Sequence, residues 1–212
     1  MHPFQSRFVD YCLQRGVLKF GEFKLKSGRV SPYFFNAGLF NQGADLAALS
    51  GFYADAIQQA EVEFDLLFGP AYKGIPLAAI TACALFQQHQ RDVAYAFDRK
   101  EVKDHGEGGN IVGAQIRGKV MIIDDVITAG TAIRQSMRLI ESLGARVCAV
   151  TIALDRQEKG QGELSAIEEL EQQGVRVIAI IKLAHILEYL EEKQQGEQLQ
   201  AIEAYRDRYG ID

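Results

Sequence analysis

This sequence is short of basic charge, paired cysteines and long apolar runs. Its 212 residues carry 23 Lys and Arg against 28 Asp and Glu, a formal net charge of -5 at pH 7. That balance excludes a general binder of nucleic acid or anionic membrane surfaces, so any basic site must be local. Cysteine occurs three times, at Cys12, Cys83 and Cys148, never as CxxC and each time in an apolar segment. The expectation is reduced core thiols in a cytoplasmic protein. No apolar run is long enough to span a bilayer. The opening MHPFQSRFVD lacks the long apolar core of a secretion signal. Internal repeats and low-complexity linkers are also missing. Apolar residues make up 48%, which suits a globular chain rather than a disordered one. The length fits one α/β domain, 1–212, with a full core.

The pattern of apolar residues gives the order of elements. Pro3 to Arg15 reads as a helix with Phe4, Phe8, Tyr11 and Cys12 on one face and Gly16 as its C-cap. Residues 23–36, FKLKSGRVSPYFFN, read as two short strands around a Ser27-Gly28 turn. Ala44 to Ala60 is helical. Strands then fall at Asp65–Phe68, Val93–Phe97, Lys119–Ile123, Val147–Leu154 and Val175–Ile181. Helices fall between them at Ile75–Gln88, Ile133–Leu143 and Leu164–Gln173, and two more close the chain at Leu183–Lys193 and Glu197–Arg208. Short apolar strands alternating with helices predict a central parallel sheet flanked by helices, with ligands at the C-terminal ends of its strands.

The most informative stretch is VMIIDDVITAGTA, residues 120–132. An unbroken apolar strand ends in Asp124-Asp125. The small residues Thr128-Ala129-Gly130-Thr131 follow, and then a helix. Free amides at such a turn, backed by a helix N-terminus, suit a phosphate. The two carboxylates would repel a phosphate but suit vicinal hydroxyls or a hydrated divalent metal. Together they describe a site for a phosphorylated ribose.

Three other segments carry candidate residues. Gly69 and Gly74 bracket Pro70-Ala71-Tyr72-Lys73 after the first parallel strand, and Lys73 there can meet pyrophosphate as a point charge or stand as a solvated loop lysine. Residues 98–113, DRKEVKDHGEGGNIVG, join two strands without helical periodicity. They hold Arg99, Lys100, Lys103 and His105, which fits a cationic lid or a solvated charged loop. Arg156 follows the fourth parallel strand, where it could grip a carboxylate or phosphate. Phe34 and Phe35 are adjacent on a strand, so at most one ring faces the core and the other could lie against a flat ligand. His2, His89 and His185 have no evident partner.

With these residues placed, the chain resembles the bacterial orotate phosphoribosyltransferase family, within the type I phosphoribosyltransferases, along nearly its whole length. The resemblance rests on FKLKSGRVSPYFFN, GPAYKGIP, DRKEVKDHGEGG and VMIIDDVITAGTA. It implies a type I phosphoribosyltransferase fold in which residues 1–40 add a helix and a base-binding hood. It implies phosphoribosyl pyrophosphate (PRPP) and orotate as substrates, Mg²⁺ as cofactor, and orotidine 5′-monophosphate and pyrophosphate as products, in pyrimidine synthesis. On this reading PRPP contacts run through Asp124, Asp125, Val126, Ile127, Thr128, Ala129, Gly130, Thr131 and Ala132. Tyr72, Lys73 and Lys26 add to them. Orotate falls to Lys26, Phe34, Phe35, Thr128 and Arg156. No residue is singled out as a direct metal ligand. The resemblance further implies a homodimer in which Arg99, Lys100, Lys103 and His105 complete the neighbouring site, with Lys103 the main catalytic residue beside Asp124 and Asp125. If Arg156 reads the orotate carboxylate, uracil would leave its guanidinium without an anion, and the site would reject uracil.

Two rivals share part of this pattern. A purine or xanthine phosphoribosyltransferase would keep the acidic motif without needing the hood segment. A PRPP-sensing transcriptional regulator would need a basic DNA-binding module, against which the acidic balance counts.

Overall fold

The computed structural model describes residues 1–25, 27–99, 110–128, 130–160 and 164–211. The first helix, α1 (Pro3–Gln14), begins with proline, whose missing N–H costs nothing there. Gly16, at φ +65°, takes the left-handed turn that ends it. Strands β1 (Leu18–Lys24) and β2 (Val30–Phe35) form a separate antiparallel hairpin, with Leu18 opposite Phe35 and Lys24 opposite Val30. Gly28, at φ +84°, closes its turn with its amide on the Leu25 carbonyl.

After α2 (Gly43–Gln59) come β3 (Leu66–Gly69), α3 (Gly74–His89), β4 (Ala94–Asp98), β5 (Ile111–Gly113), β6 (Lys119–Ile123) and α4 (Thr131–Ser142). The rest is β7 (Arg146–Asp155), α5 (Ala166–Gln172), β8 (Arg176–Lys182), α6 (Leu183–Glu192) and α7 (Gly196–Tyr209). Six strands form one sheet in the order β5-β4-β3-β6-β7-β8. Five of them are parallel. The exception is β5, which pairs antiparallel with β4 at the edge, Phe97 opposite Val112. The central parallel sheet is as expected, and β5 adds an edge strand with no counterpart in the sequence pattern, since three residues at the end of a long connection are too few to show a period.

The parallel strands are apolar on both faces because both are covered. Leu67, Met121, Ile123 and Ala149 pack toward α1, α2, α3 and α6. Leu66, Phe68, Val120, Ile122 and Val150 pack on the other side with Ile133, Met137 and Ile140 of α4 and Leu170 of α5. Among the described residues, no helix is long and apolar enough to cross a membrane. All three cysteines are free. Only Cys12 is the buried core thiol expected. Cys148 is half-buried, and Cys83 is exposed because it lies on the face of α3 turned away from the sheet. The histidines do find neighbours: His185 Nδ1 accepts the Lys182 amide at 3.0 Å, and His89 lies 3.3 Å from an Asp55 oxygen.

Candidate active site

Strands β3 and β6 are parallel neighbours, with Leu66 opposite Val120 and Phe68 opposite Ile122. Their C-terminal ends therefore emerge side by side, and so do the turns that follow. Lys73, at the end of the first turn, donates from Nζ to Asp125 Oδ2 at 2.5 Å. The glycines make this turn possible. A Cβ on Gly69 would run into the Gly74 carbonyl, and one on Gly74 would meet Pro70 Cδ at 2.6 Å. The Ala71–Tyr72 peptide is cis. The Ala71 amide donates to Asp98 Oδ1 at 2.6 Å, which ties the turn to the end of β4.

The acidic pair is held from three sides. The Asp124 amide donates to the Thr151 carbonyl of β7 at 3.0 Å, and the Asp125 carbonyl accepts the Ala153 amide at 2.8 Å. From α2, the Tyr53 hydroxyl donates to the Asp124 carbonyl at 2.9 Å. The carboxylates also accept backbone amides: Asp124 Oδ1 takes that of Asp125 at 2.8 Å, and Asp125 Oδ1 takes that of Val126 at 2.9 Å. Burial raises the Asp124 pKa to about 6, and the charge on Asp125 adds to the rise while Lys73 opposes it.

Val126 and Ile127 are half-buried, and Val126 bridges to Leu154. Gly130 caps α4 at φ +67°. Thr128, Thr131 and Ala132 are exposed, so the start of α4 opens to solvent next to the acidic pair. Its first-turn amides have no intrahelical acceptor. An oxyanion seated there would gain from those amides and from the helix dipole. Ala129 lies outside the described residues, as do Lys26, Lys100, Lys103 and His105. Arg99 is described. Its amide donates to the Asn110 carbonyl at 2.7 Å, closing the base of the long connection.

The hood hairpin splits its two aromatic neighbours as strand geometry requires. Phe35 packs against the core, while Phe34 is exposed and stacks on Phe23 at 5.5 Å between centroids. Arg156, just past β7, turns under the hood. Its guanidinium lies 4.3 Å from the Tyr33 ring centroid and donates to Ser31 Oγ at 3.2 Å. It is already paired. Both Nε and Nη2 reach Glu158 Oε1, at 2.7 and 2.6 Å. The expectation that uracil would leave this guanidinium without an anion is therefore corrected, because Glu158 supplies one.

Three positioning groups escaped the sequence reading. Tyr53 reads as part of an apolar stripe and Asp98 as a loop charge. Glu158 shows only as an acid two residues after an arginine. Tyr53 and Asp98 have no local signal, because each acts on a turn distant in sequence, and the environment that gives Glu158 its role is likewise distant.

Residues 39–192 match the phosphoribosyl transferase domain family. Over 213 residues, with both chains wholly covered, the sequence is 61% identical to the orotate phosphoribosyltransferase of Cronobacter sakazakii. The chain belongs to the orotate phosphoribosyltransferase family. A second relative, the orotate phosphoribosyltransferase of Aeromonas salmonicida, is 59% identical over 217 residues and also aligns from end to end. The crystal structure of the Francisella tularensis orotate phosphoribosyltransferase matches with a TM-score of 0.90 at 44% identity, over 97% of this chain and all of that one. The general domain match begins at residue 39. The hood hairpin lies before it, in a part of the chain that the alignments with both orotate phosphoribosyltransferases include.

Proposed function

We propose that this enzyme transfers the 5-phosphoribosyl group from PRPP to orotate, releasing pyrophosphate, at the C-terminal ends of β3 and β6. The observation that carries this reading is the meeting of Lys73 with Asp125 beside the open start of α4. One small area thus offers a cation for pyrophosphate, carboxylates for ribose hydroxyls and helix amides for the 5′-phosphate. Breaking the anomeric bond leaves positive charge on the sugar and negative charge on the leaving group. Asp124 and Asp125 favour the first, and Lys73 favours the second once it swings from Asp125 to the substrate. Orotate arrives as an anion, so no strong base is required of the protein.

Mg²⁺ belongs to the same reading. Asp124 and Asp125 are hard oxygen donors of the type this ion takes. Among the described residues, no set of three His, Cys, Asp or Glu gathers as a metal cage. An ion bound by one or two carboxylates, water and substrate phosphates fits that donor set. When bound, it neutralises the departing pyrophosphate. Orotate belongs under the hood, near Phe34, Phe35, Thr128 and Arg156, and the reading also assigns Lys26, outside the described residues, to it.

A homodimer completes the reading. Tyr72, Phe86 and Tyr95 are 64, 52 and 40% exposed, and Cys83 is exposed on the same helix as Phe86. Tyr95 pairs in register with Leu67, whose side chain points to the α3 side of the sheet, so Tyr95 lies on the side of the sheet that carries Cys83 and Phe86. In this reading a second copy seated there receives Arg99, Lys100, Lys103 and His105 at its site; of these only Arg99 is among the described residues. The free thiols agree with a cytoplasmic location.

The test is to follow orotate consumption by absorbance with PRPP and Mg²⁺, beside uracil, hypoxanthine and xanthine. Turnover of orotate alone is expected. Turnover of a purine base and not of orotate would overturn the proposal.

A further inference from the structure

Glu158 serves two arginines at once. Its Oε1 holds Arg156 at 2.6 Å, and its Oε2 lies 3.6 Å from Arg29 Nη1. Arg29 stands at the end of the hood turn, with Nη1 and Nη2 also donating to the Lys159 carbonyl at 3.2 and 3.3 Å. Its guanidinium lies 4.9 Å from the Tyr209 ring centroid. The neighbouring acid, Asp155, is engaged by the Gln157 amide at 2.8 Å. Two guanidiniums thus share one carboxylate, and Arg29, Arg156 and Glu158 together carry one net positive charge. Glu158 and Arg156 are both mostly buried, so that charge is weakly screened.

We infer that Arg29 and Glu158 are specificity-determining positioning residues, with Arg29 taking up Glu158 when the carboxylate of orotate binds Arg156. The inference rests on Arg156 being the carboxylate-reading residue. In the empty site Glu158 keeps the buried guanidinium from standing without an anion. An incoming carboxylate competes for the Nε and Nη2 edge. Glu158 yields by shifting its charge toward Arg29, which is already within ion-pair distance. Without Arg29, Glu158 has nowhere to shift, and the substrate carboxylate faces a neutral pair. Base binding is thereby linked to the hood turn that carries Arg29.

The test uses the full-length enzyme with PRPP and Mg²⁺, and reads the KM of each substrate for four variants. Arg29→Gln keeps a side chain beside Tyr209 and removes the charge. It should raise the KM for orotate about tenfold, the scale of one lost charge interaction, with its effect on orotate KM rather than PRPP KM. Glu158→Gln keeps an acceptor for Arg156 and should lower the orotate KM. The double variant Arg29→Gln/Glu158→Gln restores the net charge and should bring the orotate KM back to near the wild-type value. A purely structural role for Arg29 would not be rescued by a second substitution. An unchanged orotate KM in Arg29→Gln, or no rescue in the double variant, overturns the inference. Arg156→Ala separates the two layers. If it leaves the orotate KM unchanged, the reading of Arg156 fails and the inference falls with it. If it raises that KM while Arg29→Gln does not, the inference alone fails.

Discussion

Asp124 pairs a raised pKa with a fixed backbone, and the two have separate consequences. Burial lifts its pKa from 3.8 to about 6. Below pH 3.8 the folded and unfolded chains both hold the proton. Between there and 6 the unfolded chain loses it first, so the folded state loses stability as pH rises through that window. Above 6 the penalty is constant, on the order of 1–3 kcal/mol for a shift of this size. Asp124→Asn retains the oxygen that accepts the Asp125 amide. It should therefore raise the melting temperature of the ligand-free enzyme at pH 8 and leave it nearly unchanged at pH 4. Its activity should fall, since the charge that favours a cationic sugar is gone. Equal melting shifts at both pH values would contradict the assignment of the penalty to Asp124. For the wild type, kcat/KM for PRPP should drop as pH falls through about 6, where the free enzyme protonates this carboxylate. At this scale the acidic pair was legible because its signal is contiguous, a buried strand followed by Asp124-Asp125 and a small-residue turn. The Arg156 environment was not. Glu158 lies close in sequence, but the groups that define its role are Ser31, Tyr33 and Arg29, more than a hundred residues away.

The two strand-end turns respond differently to added bulk. A Cβ on Gly69 meets a backbone carbonyl, which cannot move without shifting the turn that carries Lys73. Gly69→Ala should destabilise the protein by about 2 kcal/mol or more, in the range of overpacked sites. A Cβ on Gly130 comes too close only to the end of the Arg134 side chain, at 2.8 Å, with Ala166 Cβ at an ordinary 3.6 Å, but Gly130 sits at φ +67°. Gly130→Ala should cost about 1 kcal/mol of stability through the left-handed backbone. It should weaken PRPP binding more than its effect on folding suggests, because it reshapes the start of α4. Thermal melting and PRPP titration on both variants separate the effects. A larger melting loss for Gly130→Ala than for Gly69→Ala would contradict this ranking. Element positions are legible in the apolar pattern, α2 from its helical stripe and β6 from an unbroken run that the sheet buries on both faces. The antiparallel β5 was missed because pairing with β4 defines it and its own three residues carry no period.

For the whole molecule, Phe86 and Tyr95 are among the large apolar side chains that the chain alone leaves exposed. From sequence, Cys83 of α3 reads as a core residue because its segment is apolar. The fold buries one face, with Leu77, Ala78, Thr81 and Leu85, and leaves Cys83 and Phe86 outside. In the proposed dimer, Lys103 serves the neighbouring site while Lys73 serves its own. Lys103→Ala and Lys73→Ala homodimers should each be nearly inactive. Mixing them after reversible dissociation should restore roughly a quarter of wild-type sites, since half the dimers are mixed and each has one intact site. Verified mixed dimers that stay inactive would place Lys103 in its own chain's site.

The account stands on Asp125 joining the acidic turn to Lys73 at the strand ends. Its most direct test is kcat for orotate and PRPP in Asp125→Asn, measured beside the melting temperature. The substitution preserves shape and removes charge. The predicted result is a folded protein whose turnover falls on the order of tenfold to a thousandfold, matching a few kcal/mol of electrostatic stabilisation. Full turnover in a correctly folded Asp125→Asn enzyme would contradict the account.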